Sequence, residues 1–174
     1  MRAWHFLYKN NKMRDKKVAP KDGVKLTYND TPIMCQRGLH ASIKPYDALQ
    51  HAPGPILCLV ECEGVVIPGD DKLVCTERTI IARMDAMEML RYYARMQALK
   101  ATQQWDAPQA VLEWLMTGGE SYRSAARSAA EAAAWSAARS AAWSAAWSAA
   151  KSAAWSAARS EFDTLVYECF EGCL

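Results

Sequence analysis

Residues 124–159 read SAAR-SAAE-AAAW-SAAR-SAAW-SAAW-SAAK-SAAW-SAAR, nine consecutive tetrads in which only the fourth place is large. Those large residues are Arg127, Glu131, Trp135, Arg139, Trp143, Trp147, Lys151, Trp155 and Arg159. Alanine has the highest helix propensity, and serine at one place in four costs only a few tenths of a kcal/mol each time. Neither Gly nor Pro interrupts the span, so the pattern predicts one continuous helix over 124–160, ~55 Å long at 1.5 Å per residue. Four residues turn a helix by ~400°, so successive large side chains drift by ~40° and wind once around the axis over nine tetrads. A coiled-coil seam, with its apolar period near 3.5, is a different pattern.

A spiral of indoles cannot face one flat partner. Trp143 and Trp147 are neighbours, whereas Trp135 and Trp155 stand ~200° apart on a straight helix. The Ala and Ser places allow close backbone approach. The expectation is therefore a homo-oligomer or a clasped partner, with Trp135, Trp143, Trp147, Trp155, Arg139 and Arg159 as the interaction surface. Arg139, Lys151 and Arg159 stand four places from a tryptophan, at cation–π spacing. Five charges between Arg127 and Arg159 leave no apolar run of ~20 residues, so no membrane span is expected. Four basic residues spread around a spiral make a poor track for a phosphate backbone, which argues against nucleic acid.

Outward from the repeat, the composition changes. Residues 161–170 turn amphipathic, with Phe162, Leu165, Val166, Cys169 and Phe170 on one side, and should dock. Upstream, Asp85 with Glu88 opens a helix as a capping box, and Asp106 with Pro108 opens another that Gly118-Gly119 ends. Residues 1–83 read as strands: 3–8, 24–28, 32–36, 56–62, 65–67, 73–75 and 79–82, by alternation and turn signals. Residues 38–42 (GLHAS) lead into a short helix over 45–51, which the PGP at 53–55 terminates. The fold class is α+β. The expected organisation is a β-rich domain (1–83), two connecting helices (84–119) and the tetrad helix with its amphipathic end (120–174).

The chain of 174 residues carries a net charge of +2, too little to steer a partner strongly. Its start, MRAWHFLYKNNK, has no apolar run of the signal-peptide kind, so a cytoplasmic setting is expected. Six cysteines then read as thiols, and none falls in the C-x2-C spacing of a zinc knuckle, so no metal is expected. Chemistry has three candidate sources. These are the strand carrying His5, the stretch Gly38, His40 and Ser42, and the stretch from Asp70-Asp71-Lys72 to Glu77-Arg78-Thr79. A cleft joining a His, a Ser and a Glu from these segments is the candidate catalytic site. No P-loop, GxSxG or HExxH occurs.

Two resemblances enter through these segments. AWHF (3–6), GLHAS (38–42), DAL (47–49), APGPILCLVE (52–61), GDDKLVCTERTI (69–80) and LRYYAR (90–95) resemble an uncharacterised family of small phage and prophage proteins, some with Ala-rich Trp/Ser/Arg tails. That resemblance implies phage origin, and with it the cytoplasm of an infected bacterial host. The order of pieces also resembles ADP-ribosyltransferases: a His on an early strand, a G-[LI]-[HY]-x-[ST] stretch before an A-L helix, then a strand and a later acid. It implies NAD as cofactor, His5 and Ser42 holding the nicotinamide ribose, Gly38 and His40 beside the cofactor, and Glu77 stabilising the oxocarbenium charge. The leading expectation is a phage accessory protein that acts by binding and needs no cofactor, counteracting a host (defence) function through a host protein. An NAD-dependent transferase and a nucleotide-sequestering protein are the alternatives.

Overall fold

The computed structural model describes residues 1–102, 106–137 and 144–173; of residues 101, 130–137 and 144–155 it describes the helical backbone alone. The strands are β1 (Arg2–Leu7), β2 (Lys25–Thr27), β3 (Leu39–Ala41), β4 (Ile56–Pro68) and β5 (Leu73–Asp85). The helices are α1 (Pro45–Gln50), α2 (Met87–Ala101), α3 (Gln109–Thr117), α4 (Glu120–Ala137) and α5 (Ser144–Cys169). An antiparallel sheet followed by helices is the α+β class expected.

The β4–β5 hairpin is the spine of the sheet. The expected short strands at 56–62 and 65–67 are one strand, as are those at 73–75 and 79–82. The ladder runs through a register shift between Glu63 and Val66, where Gly64 takes a left-handed φ of 69°. Such a bulge bends a strand without ending it. β1 lies antiparallel on β4, and β2 and β3 share the far edge of β5, end to end. The residue after β3 then returns to β1: Trp4 N–H donates to the Ser42 carbonyl (2.7 Å) and Ser42 N–H to the Trp4 carbonyl (2.8 Å). These two bonds close the sheet on itself and remove the free edge of β1.

Inside the closed sheet lie Ala3, Leu7, Ala41, Ile56, Cys58, Val60, Cys62, Leu73, Cys75 and Ile80. The opposite face of β1 and β4 carries Trp4, Phe6, Leu57 and Leu59, all buried. The end of α5 covers it. Phe162 and Val166 are fully buried, Phe162 meets Tyr46 edge-on at 5.9 Å, and Trp4 meets Phe170 edge-on at 5.1 Å. Polar contacts fix the same segment. The Asp163 carboxylate accepts Tyr46 N–H (2.7 Å), an orphan donor of the first turn of α1, and Arg159 pairs with the buried Asp47.

Two sequence expectations are corrected. Residues 32–36 form no strand. Ile33 and Arg37 close a tight loop by exchanging backbone hydrogen bonds (2.8 and 3.0 Å), with Cys35 reversing the chain at φ 62°. Residues 39–41, read as the approach to a helix, are β3, because β5 offers an open edge there.

The chain forms two compact units: Met1–Met87 with Arg159–Leu174, and Glu88–Ala158. The first unit therefore joins the sheet to the C-terminal segment. In the second, Leu99, Val111, Trp114, Leu115, Ala126 and Ala129 make a small core among α2, α3 and α4, and Tyr93 donates to the Ala158 carbonyl (2.9 Å). Gly118 ends α3 at φ 67°, as the Gly-Gly pair predicted. The tetrad repeat is helical in α4 and α5. Residues 138–143, with Arg139 and Trp143, lie outside the described residues, as do the side chains of Trp135, Trp147 and Trp155.

Candidate functional site

A cavity of about 340 Å³ opens in the first unit beside the β1–β3 junction. β1 supplies His5, β3 supplies His40, and Ser42 follows at the seam. His51 comes from the C-terminus of α1, Lys72 from the β4–β5 turn, Cys35 and Gln36 from the tight loop, and Arg14 from the loop after β1. That loop is folded by an Asn11–Ala19 backbone bond (2.9 Å) and clamped by Arg83, which pairs with Asp22 and donates to the Pro20 carbonyl. Arg14 in turn donates to the His51 carbonyl.

His5, His40 and Ser42, predicted from separate segments, therefore share one cavity. Glu77 does not join them. It lies on the β2 edge of β5, where Lys25 bridges it (2.6 Å) and Glu63 (2.8 Å). Gly38 is not in the wall either. Its φ of 113° and its contact with Val74 set the path into β3. Arg159, expected in an interaction surface, pairs with Asp47 and stacks over Tyr46 at 5.2 Å within the first unit.

The lining is cationic. Arg14 and Lys72 face the cavity and no Asp or Glu among the described residues lines it, although Asp71 stands just outside, bonded to His51 and 4.0 Å from Lys72 Nζ. Behind the wall Arg78 is 6% exposed, donating to the His40 carbonyl and to the Met13 thioether (3.7 Å). No carboxylate pairs with Arg78 among the described residues; the ionisable groups that act on it are the thiols of Cys58, Cys62 and Cys75. Burial lowers its pKa, yet a guanidinium stays charged. A cation sealed in low dielectric without a counter-ion projects its field into the nearest open space.

The histidines divide by role. His40 Nε2 accepts Cys35 N–H (3.0 Å), so the neutral ring keeps its proton on Nδ1 and holds the loop to β3. His51 Nε2 meets Asp71 at 2.7 Å, and that bond holds the Asp71 carboxyl below its usual range. His5 Nε2 is buried with no hydrogen-bond partner. Burial, reinforced by Arg78 and Arg14, drives the His5 pKa well below the ordinary imidazole value, and burial also lowers that of His40.

Those two shifts set a pH response. Unfolded, both rings titrate near ~6.5. Folded, they take up protons only at lower pH, so their contribution is complete above ~6.5 and is lost as pH falls toward the folded values. We expect stability in urea to decline below pH ~6.5 by up to ~1.4 kcal/mol per pH unit from His5. His40, half open to solvent, adds a smaller slope. Urea midpoints at about pH 7.5, 6.5 and 5.5 measure it; a flat series contradicts the sealed imidazole.

His51, Arg14 and Cys35 were missed in the sequence, and Lys72 and Arg78 were seen only as members of a candidate stretch, without a role. His51 and Asp71 stand twenty residues apart and meet only through α1 and the hairpin turn. Arg78 carried one faint signal, a charge two places before the inward Ile80, but it stands three places after the inward Cys75, so the alternation along β5 changes phase there and did not mark it as inward.

A curled antiparallel sheet with a cationic cavity at its β1–β3 seam, one face covered by the end of a long helix, is the architecture to be classified. A family model described as a domain of unknown function (DUF7666) matches residues 1–92, more than half of the chain, and the chain belongs to that family. The match takes in every strand and every residue of the cavity wall, and stops short of the segment that covers Trp4. No curated protein and no solved structure matches the chain.

Proposed function

We propose that this chain acts by binding, and that its cavity takes a phosphorylated small molecule of nucleotide size. The observation that carries this is the excess of cations. Arg14 and Lys72 line a cavity that no described carboxylate lines, Asp71 beside Lys72 is shared with His51, and Arg78, with no carboxylate partner among the described residues, is buried behind it. A volume of about 340 Å³ falls within the ~300–1,000 Å³ usual for ligand sites. Ser42 and His5 also line it at the β1–β3 seam. The resemblance to small phage proteins supports an accessory role in which such a ligand, or a host protein, is held rather than converted. The tetrad helix would then assemble copies or clasp that partner.

A second reading, NAD-dependent transfer, draws on the shared position of His5, His40 and Ser42. Transfer from NAD develops positive charge at the ribose, which a carboxylate stabilises. Glu77 is engaged with Lys25 at the β2 edge, so holding a ligand is the better reading.

Calorimetric titration with ATP, ADP-ribose, NAD and adenosine tests both. The three phosphorylated ligands should bind and adenosine should not. Arg14→Ala and Lys72→Ala should each weaken binding roughly tenfold or more, the worth of a charge-assisted bond of ~1.5–3 kcal/mol. Equal affinity for adenosine and ATP would remove the anion reading, and steady release of nicotinamide from NAD would favour the transferase.

A further inference from the structure

We propose that Cys35 is a regulatory thiol, modified by thiol–disulfide exchange with an anionic disulfide of the oxidised-glutathione class seated in the cavity. The inference rests on the cationic cavity proposed above and adds the control of that site. Of the six cysteines, Cys58, Cys62 and Cys75 are buried in the closed sheet, and Cys169 and Cys173 are exposed at the end of the chain. Cys35 is exposed and also lines the cavity, on the same wall as Arg14 and Lys72.

Its backbone is held. The loop closes through Ile33 and Arg37, Cys35 takes a φ of 62°, and its N–H is fixed on His40 Nε2 at 3.0 Å. Cys35 is thus held by a hydrogen-bonded turn at the cationic cavity. The surroundings favour an anionic partner. His5 lines the same cavity with its Nε2 sealed and without a partner among the described residues, and Arg78, 6% exposed behind the lining, has a carbonyl and a thioether but no carboxylate among the described residues.

The exchange needs no reagent beyond the disulfide. The Cys35 thiolate attacks one sulfur, a bond forms between Cys35 Sγ and that sulfur, and the original S–S bond breaks. The other half leaves as a thiolate and takes a proton from water. Carboxylates on the entering disulfide are drawn to Arg14 and Lys72, which raises the local reagent concentration. The attached half then fills the cavity, so modification excludes the phosphorylated ligand.

The full-length, fully reduced protein is treated at one pH with limiting dithiobis(nitrobenzoate), a dianionic disulfide, or with dithiodipyridine, a neutral one. Peptide mapping then follows Cys35, Cys169 and Cys173. With the dianion, Cys35 should react on the order of tenfold faster than the two terminal thiols, and that advantage should shrink as salt is raised. The neutral reagent should show little preference. Arg14→Ala and Lys72→Ala should slow Cys35 alone. Protein carrying oxidised-glutathione adducts at Cys35 should lose ATP binding and regain it on reduction. Equal preference for the two reagents at Cys35, or ATP binding unaffected by the adduct, overturns the inference. If ATP binds the unmodified protein in that case, the ligand cavity stands and only the thiol control falls.

Discussion

Phe162→Ala lowers the stability of the first unit by about 3–5 kcal/mol, the usual range for deleting a buried aromatic ring. Phe162 is fully buried, edge-on to Tyr46 at 5.9 Å, with Val166 one turn on and also fully buried. The vacated space sits between a helix and a sheet, neither of which closes without moving the other. The neighbouring anchors suffer too. Asp163 holds Tyr46 N–H and Arg159 neutralises the buried Asp47, and both need this stretch of α5 seated. A domain whose total stability is ~5–15 kcal/mol loses a large share of it. Urea unfolding followed by tryptophan fluorescence measures the change. Thr164→Ala, at an exposed place on the same helix, should stay within ~0.5 kcal/mol. A loss below ~1 kcal/mol for Phe162→Ala would show that the C-terminal segment contributes little to the unit it covers.

Gly38→Ala is the second large effect. At φ 113° an L-residue is strained, which costs ~1–3 kcal/mol. The new Cβ would also stand 2.5 Å from Val74 Cγ2 and 3.0 Å from Pro32 Cβ. Val74 is fully buried on β5 and has no room to retreat, so overpacking adds ~1–3 kcal/mol. The displaced segment is β3, which carries His40 and leads to the Ser42 seam. Binding in the cavity should therefore fall together with stability. Gly23→Ala is the comparison: φ is 80° and nothing lies within 4 Å of its Cβ, so only the conformational part remains. Equal losses for the two variants would refute the packing argument at Gly38.

Gly38 also shows how legibility varied along the chain. The GLHAS stretch was readable as a place of interest, but not as a strand. Three residues carry too little periodicity, and their pairing depends on an edge of β5 more than thirty residues away. The alternation at 56–62 was long enough to announce a strand and both its faces, and the structure buries both. The amphipathic run at 161–170 announced a docking helix without naming its dock, because Trp4 and Tyr46 lie more than a hundred residues upstream. Of the site, His5, His40 and Ser42 were visible as polar residues in apolar surroundings. Arg14, Cys35 and Lys72 sit in loops, where nothing periodic marks them.

What the chain alone determined is therefore local: where alanine tetrads make helix, where alternation makes strand, and where Gly and Pro break both. These follow from backbone and side-chain preferences acting over one or two turns, which no partner is needed to express. The tertiary structure decided the closure of the sheet at Trp4 and Ser42, the return of α5 onto β1, and the isolation of Arg78 behind a wall without carboxylates. Those outcomes depend on which distant surfaces bury one another best, and a bulge of one residue in β4 is enough to change which side chains face inward.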